Sequence, residues 1–299
     1  MWDAIDADVM LHPLGFYELK PEYRKEMDSF YEDEYYQDSH ALYRVEYGAE
    51  DLEYKNNLYR QKEYVVKTIR GGYQEERPLF LDIGCGEGYA LAWFHSRGWD
   101  VAGIDESMYG IRTHNPDMEK FVVKGSFYKE AERLEGKRFD FINADNVLEH
   151  VSDPLKFMEL IVPLCGRETI VCITVPNDFS QMQKLAYEMG QTDGAFWVTK
   201  ETSEHFSYFG VESLERVGKE AGLQKAAALS DFPIDLFLLH SETNYRKKDV
   251  GQECHAAGTM IENRLFENSL ENTAKLHEAL ALNGIGRDIS MYFKLKQVK

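Results

Sequence analysis

Short apolar runs ending in glycine or an acid, separated by helical patterns, predict an α/β protein with a mostly parallel sheet covered by helices on both faces. Five such runs, LFLDIG, WDVAGID, FVVKG, FDFINA and TIVCITVPN, follow one another between Leu79 and Asn177. The first opens directly into a glycine-rich turn and a helix, CGEGYALAWFHSRG. Near the C-terminus DISMYFKLK alternates like a strand after a helical stretch, which returns the chain to its sheet.

The elements follow in order. Residues 1–60 hold 15 acids and 6 bases, and 11 of the 18 tyrosines lie between Tyr17 and Tyr73. Such a segment has too few aliphatic residues for a core of its own and is expected to pack on its neighbour as helices and extended pieces. Leu52, Leu58, Tyr59, Val65, Val66 and Ile69 predict a helix from about Glu50 to Arg70, stopped by Gly71 and Gly72. In SDPLKFMELIVPL, Ser152 or Asp153 caps a helix with Pro154 in its first turn. VESLERVGKEAGL is a second amphipathic helix ending near Gly222. After Ala228 comes an irregular connection, then helical sequence from about Gly251 to Leu282. The expected organisation is an N-terminal lid (1–73), a core (74–230), a helical insertion (231–287) and a returning strand (288–299).

Composition narrows the function. The 299 residues carry 52 Asp and Glu against 34 Lys and Arg, a net charge of −18. Such a surface repels phosphate backbones and anionic lipid, which argues against nucleic-acid and membrane partners. Cys85, Cys165, Cys172 and Cys254 form no C-x-x-C pair. No apolar run reaches the ~18 residues of a membrane span. The acidic start MWDAIDADVM lacks the features of a signal peptide. A cytoplasmic enzyme is the expectation.

LDIGCGEG places Asp82, Gly84, Gly86 and Gly88 between a strand and a helix. Glycines there let the backbone turn sharply and approach a ligand, and the helix start presents unpaired N–H groups. Asp105, at the next strand end and 17 residues after Gly88, is placed to accept ribose hydroxyls. A nicotinamide site wants G-x-G-x-x-G, whereas the third glycine here comes one residue early, and Asp82 would sit badly beside a pyrophosphate. A nucleoside cofactor with an amino-acid end fits better, with Asp82 facing its ammonium group.

These residues resemble the class I S-adenosylmethionine (SAM)-dependent methyltransferases. LDIGCGEGYAL is similar to the family's first motif, VAGIDES to its second and VVKGSF to its third. FDFINADNVLEHVSDP is similar to the fourth, ITVPN to the fifth strand, and HFSYFGVESLERVGKEAGL to the segment after it. The resemblance covers about residues 79–228 and the last strand. It implies a Rossmann-like seven-stranded sheet, mostly parallel, with the last strand antiparallel. It implies S-adenosyl-L-methionine as cofactor, with Asp82, Gly84, Cys85, Gly86 and Gly88 around the methionine moiety and Asp105 at the ribose. Met108 would lie on an adenine face, Ser126 with Phe127 at its edge, and Asn143, Ala144 and Asp145 by the methionine end. Many relatives carry Asp where this chain has Ser126.

The LEHVxDP run resembles ubiquinone-type O-methyltransferases and their relatives acting on sugars and other metabolites. The acid- and tyrosine-rich flanks favour a polar acceptor, so the expected substrate is a hydroxyl of a small metabolite such as a sugar, sugar nucleotide or polysaccharide-biosynthesis intermediate. A quinone precursor or other phenol is the alternative, and a non-catalytic methyltransferase-like subunit a third reading. His205 is the first candidate for general base, with His150 and Glu149 beside the fourth strand as further catalytic candidates. The ubiquinone-type resemblance implies a divalent metal at Glu149 and His150, but no third ligand is evident in the sequence and no metal site is assigned. Tyr35, Tyr36, Tyr43 and Tyr47 are candidates to cap the acceptor cleft. Arg246, Lys247 and Lys248 are the cluster that a sugar nucleotide's phosphates would require. The oligomeric state is open.

Overall fold

The computed structural model describes residues 9–21, 46–72, 77–134, 136–192 and 205–296. Two short strands, β1 (Val9–Leu11) and β2 (Tyr17–Leu19), precede the long helix α1 (Ala49–Arg70). The core then runs β3 (Leu79–Ile83), α2 (Tyr89–Ser96), β4 (Asp100–Asp105), α3 (Tyr109–His114), β5 (Val122–Lys124), α4 (Phe127–Glu130), β6 (Phe139–Asp145), α5 (Pro154–Ile161) and β7 (Cys165–Pro176). After α6 (Gln181–Glu188) come β8 (Ser207–Tyr208), α7 (Val211–Glu220) and β9 (Leu223–Ser230). The helical pair α8 (Gly251–Asn268) and α9 (Leu270–Leu282) precedes the last strand, β10 (Asp288–Leu295).

The main sheet has seven strands in the order β5–β4–β3–β6–β7–β10–β9. Neighbours from β5 to β7 are parallel, and β10 runs antiparallel to both β7 and β9. This is the sheet the sequence predicts, including its antiparallel last strand. The strand order reverses between β4 and β6, on either side of β3, and that switch point is where open α/β sheets leave a crevice at their carboxyl ends.

Helix stops and starts follow local chemistry. Gly71 ends α1 in the left-handed conformation at φ 74°, and Asp153 caps α5 by accepting a hydrogen bond from the Lys156 amide at 2.9 Å. The 251–282 stretch breaks at Ser269, whose hydroxyl accepts from the Asn272 amide and starts α9. β9 has no counterpart among the runs singled out in the sequence. The small sheet β1–β2–β8 is likewise new, and it ties the N-terminal segment to the chain just after His205 through Tyr17 and Tyr208.

Two apolar layers sandwich the sheet, and strand alternation assigns each residue its side. Leu81, Ile83, Ile142 and Val171 face one layer, against α5 and α7. Phe80, Phe141, Ile170, Cys172 and Tyr292 face the other, under α1 and α2. On this second face the same two-residue period brings polar groups to the carboxyl ends: Asp82 after Phe80, Asn143 and Asp145 after Phe141, Thr174 after Cys172. Pairing sets Asp82 beside Asn143 and Asp145 beside Thr174, with Ser290 next to Thr174. The site is therefore the polar rim of an otherwise apolar sheet face. Among the described residues no helix is long and apolar enough to cross a membrane.

Candidate active site

The glycine loop is held by the strand it turns past. The amides of Gly84 and Cys85 both donate to the Ile104 carbonyl, at 2.8 and 3.2 Å. Gly84 has φ 71°, and a Cβ there would lie 2.4 Å from a Val147 methyl. Gly88, at φ 77°, would meet Ile111 at 2.9 Å. Only glycine satisfies both the backbone angle and the space at these two positions.

Asp105 holds this loop from the neighbouring strand. Its Oδ2 accepts from the Gly86 amide at 2.7 Å and its Oδ1 from the Ser107 amide at 2.8 Å. Burial pushes its pKa up, and these two N–H donors oppose the shift. Each carboxylate oxygen keeps acceptor capacity beyond one amide, which is what a ribose diol needs. Asp82 is buried, accepts from Asn143 Nδ2 at 2.8 Å, and is pushed up to about 7 by burial, against the pull of that hydrogen bond. A carboxyl poised there is suited to an ammonium partner. The loop lines a cleft shared by Asp82, Gly84, Cys85, Glu87, Gly88 and Asp145. The cradle closed to any side chain, the acceptor at Asp105 and the acid at Asp82 fit the cofactor that the resemblance implies.

The remaining cofactor candidates are placed as follows. Cys85 is buried at the loop, and burial pushes its thiol pKa up. Ser126 starts α4 beside Gly125, whose amide donates to the Asp105 carbonyl at 2.8 Å. Met108 and Phe127 are both buried in the apolar layers, and the Phe127 ring lies 5.1 Å from that of Phe157. Ala144 is wholly buried, so its contribution at the strand end is through its backbone.

A residue absent from the sequence-based candidates sits at the centre of this rim. Lys62, from α1, donates to Asn143 Oδ1 at 2.9 Å and to Thr174 Oγ1 at 3.2 Å, and pairs closely with Asp145. Burial alone would lower its pKa, but Asp145 and neighbouring groups raise it overall. Burial acts to raise Asp145, and Lys62 more than reverses it, so its pKa falls. Lys62 thus orients the Asn143 amide, whose other end holds Asp82. The signal available in the sequence was a cation on the apolar stripe of α1, four residues after Leu58 and three before Val65.

The N-terminal approach also reaches this cleft. The Tyr47 hydroxyl donates to Glu87 Oε1 at 2.8 Å, and its ring meets Tyr89 edge-on at 5.7 Å, with Lys55 Nζ 4.3 Å from its centroid. Tyr47 therefore covers the glycine loop. Tyr35, Tyr36 and Tyr43 lie outside the described residues.

Beside the loop lies a cavity of about 470 Å³ that shares Lys55, Tyr59 and Asp145 with the cofactor cleft. Thr174, Ser290 and Asp288 line it from the sheet rim, α1 supplies Tyr54, Tyr59 and Lys62, and α8 and α9 supply Glu262 and His277. A second cavity, about 450 Å³, is lined by Asp178, His205, Tyr245 and Arg246 and meets the first at Ile234 and Arg287. Of the three consecutive basic residues at 246–248, Arg246 lines the second of these cavities, while Lys247 donates to the Gly190 carbonyl at 3.0 Å and Lys248 pairs with Glu242 at 2.7 Å. Asn177 gives its side-chain amide to the Gly286 carbonyl at 3.0 Å and so fixes the turn into β10.

The three catalytic candidates converge. Glu149, His150 and His205 bring one potential ligand atom each to within 4.8 Å of one another, and the two imidazole rings meet edge-on at 4.7 Å. Glu149 is wholly buried, neither of its oxygens has a hydrogen-bond partner, and burial raises its pKa far above the ordinary value. Burial, with His150 and Arg287, lowers His205 to about 3. The sequence shows no third metal ligand; the fold brings His205 to the Glu149–His150 pair across 55 residues. An unpartnered buried carboxyl next to two imidazoles is a donor set that suits a divalent cation such as Zn²⁺ or Mn²⁺.

A family model described as a methyltransferase domain matches residues 57–228, more than half of the chain. The ubiquinone biosynthesis O-methyltransferase of Rickettsia typhi is 28% identical over 152 residues, covering 49% of this chain and 60% of that protein. The same enzyme of Alkalilimnicola ehrlichii is 34% identical over 96 residues, 31% of this chain and 38% of that protein. The chain thus matches less than two thirds of either relative's length. The plantazolicin methyltransferase BpumL, solved with SAH and a monoazolic desmethylPZN analog, superposes with a TM-score of 0.52 at 12% identity over 92% of this chain and 96% of that one. That likeness extends the shared fold to nearly the whole chain. Glycine cradle, paired acids, sheet order and family match agree: the chain belongs to the class I SAM-dependent methyltransferases, with S-adenosyl-L-methionine as its cofactor.

Proposed function

We propose that the chain methylates a hydroxyl of a carbohydrate or glycan-biosynthesis intermediate held in the 470 Å³ cavity. The supporting observation is that cavity's lining and position. Tyr54, Tyr59, Phe232 and Tyr292 offer aromatic faces, while Asp231, Glu262 and Asp288 offer carboxyl oxygens, directly against the cofactor cleft. Sugars present apolar ring faces and hydroxyl edges, and this combination meets both.

Bound SAM supplies an electrophilic methyl on a sulfonium centre. The chain's own residues do the rest. Asp82 receives the ammonium end, the side-chain-free backbone at Gly84 and Gly88 lets the ligand approach closely, and Asp105 receives the ribose. Lys62 holds Asn143 and Asp145 at the junction of the two cavities, so alignment of the acceptor is fixed by the sheet rim rather than by a loop. His205 is the proposed general base; it lines the adjoining 450 Å³ cavity, so the acceptor hydroxyl must reach it past Ile234 and Arg287, where the two cavities meet. Burial lowers its pKa, which keeps the ring neutral with a lone pair available.

The second reading, a phenolic acceptor, is favoured by the ubiquinone-type relatives and by the Glu149–His150–His205 cluster. In it the three residues hold a divalent cation and His205 is a ligand instead of a base. One assay separates the two. Chelator-treated protein is given labelled SAM with sugar nucleotides or with catechols, and products are identified by mass spectrometry. The first reading expects methylated sugar without added metal. Methylated catechol formed only with Mg²⁺ or Zn²⁺ would replace it with the second.

A further inference from the structure

The α8–α9 hairpin contributes three side-chain atoms with no hydrogen-bond partner to one wall of the acceptor cavity. Thr259 Oγ1, Glu262 Oε2 and His277 Nε2 are all buried and lack a partner, and all three residues line that cavity. Glu262 and His277 are each about 1% exposed. Their atoms approach to 3.1 Å, but out of hydrogen-bonding alignment.

Glu262 and His277 each have one end fixed by a hydrogen bond and the other end without one. Glu262 Oε1 accepts from the Phe232 amide at 2.6 Å. His277 Nδ1 lies 3.0 Å from the Gln61 side-chain amide. The hairpin is fastened to α1 by Asn57, which donates to Asn263 Oδ1 at 3.0 Å, and by Asn263, which donates to the Glu50 carbonyl at 3.0 Å. α1 is the helix that carries Lys55, Tyr59 and Lys62 to the cofactor side of the cavity. Position and orientation of the open ends are therefore set before any ligand arrives. Buried polar atoms in native proteins are nearly always hydrogen-bonded, so a threonine hydroxyl with no bond beside a misaligned Glu262–His277 pair calls for a ligand that supplies the missing bonds.

We propose that Thr259, Glu262 and His277 form a hydroxyl clamp that selects the methyl acceptor by recognising neighbouring hydroxyls on a saturated ring. Glu262 Oε2 accepts from one hydroxyl, and the imidazole Nε2 and the threonine hydroxyl complete the bonds of that group or its neighbour. Phe232 packs close by, at the Gly258 backbone of α8, and offers the ring face. A simple phenol has one hydroxyl, and a catechol has two that lie in the ring plane, whereas a saturated sugar ring presents several staggered hydroxyls that can meet all three groups. The proposal rests on reading the cavity as the site of a carbohydrate acceptor.

The test uses the full chain saturated with SAH. Methyl α-D-glucopyranoside, methyl α-D-galactopyranoside, methyl α-D-mannopyranoside and catechol are each titrated by saturation-transfer NMR, with SAH affinity and melting temperature measured in parallel. At least one glycoside is expected to bind, and Glu262→Gln, His277→Phe and Thr259→Val each to weaken it about tenfold or more, with SAH affinity unchanged. Thr259→Val guards against a folding artefact, because replacing an unsatisfied buried hydroxyl by an isosteric methyl leaves stability unchanged or raised. Glycoside binding equal in all three variants and wild type overturns the clamp and leaves the carbohydrate reading standing. Catechol binding in place of every glycoside, insensitive to all three changes, overturns both.

Discussion

Replacing Lys62 by methionine tests the hinge between the N-terminal helix and the cofactor rim. Methionine preserves length and apolar contact but deletes the charge and its three partners, Asp145, Asn143 and Thr174. The Lys62 side chain is 8% exposed and that of Asp145 32%, so the pair is buried on one side and open to the cavity on the other. Removing one member of a fully buried pair costs about 3–5 kcal/mol, and breaking an exposed pair costs under about 1 kcal/mol. The solvent-facing half of Asp145 places this change between them, at about 2–3 kcal/mol. For a chain of this size that lowers the melting temperature by about 4–6 °C. The double variant Lys62→Met/Asp145→Asn, which also removes the stranded carboxylate, is expected to recover most of the loss. The sign with pH follows from Asp145. Its folded pKa is depressed, so the pair's contribution is present above the ordinary carboxyl value of 3.8 and disappears as the pH falls through the folded pKa. Calorimetric melts at pH 7 and at a pH below 3.8 are the assay, with the difference between wild type and variant expected to shrink at the lower pH. A single variant that melts within about 1 °C of wild type at pH 7, or a double variant no more stable than the single, would refute the reasoning.

Three further outcomes follow from the same geometry. Asp82 is held up to about 7 by burial and must ionise to meet an ammonium group, so SAH affinity should rise with pH through that value and level off above it; Asp82→Asn should bind at least about tenfold more weakly and lose that pH dependence, as read by calorimetry. Gly84→Ala places a methyl 2.4 Å from Val147 at a φ of 71°, so SAH binding should fall by more than about tenfold and stability by about 1–3 kcal/mol; unchanged binding would show that the loop does not form the cradle. Glu149 has a raised folded pKa, so its contribution is complete below the ordinary value of 4.5 and is lost as pH rises. Glu149→Gln should therefore gain progressively in melting temperature over wild type as pH rises from 5 to 8, because wild type must take up a proton on folding and the amide need not; parallel pH profiles would contradict this.

The parts legible in the sequence are those where local chemistry leaves one solution. The glycine cradle is legible because positive φ and side-chain clash admit no other residue, and Asp105 because it ends the adjacent strand. Helix α1 ends where Gly71 stops it. β9 was not legible: its sequence, LQKAAALS, has little strand preference, and it forms a strand because β10 pairs with it from Ile289 to Leu295. The acceptor wall was hidden for a related reason. Gln61 and His277 meet across 216 positions, and no local pattern announces a contact of that range. Glu262 and His277 could have been flagged only as polar residues on the buried stripes of α8 and α9. His205 is read from the sequence as lying near the carboxyl ends of the strands, but its meeting with Glu149 and His150 depends on β8 lying beside the turn after β6.

The central claim is that a carbohydrate hydroxyl in the cavity beside the glycine loop receives the methyl group. The direct measurement supplies the protein with methyl-labelled SAM and an equimolar mixture of sugar nucleotides, methyl glycosides and catechols, and locates the label by mass spectrometry and NMR. Label on a ring oxygen substituent of a sugar, lost in Glu262→Gln while SAH still binds, is the predicted result. Label found on a phenol alone, unaffected by that substitution, would contradict it.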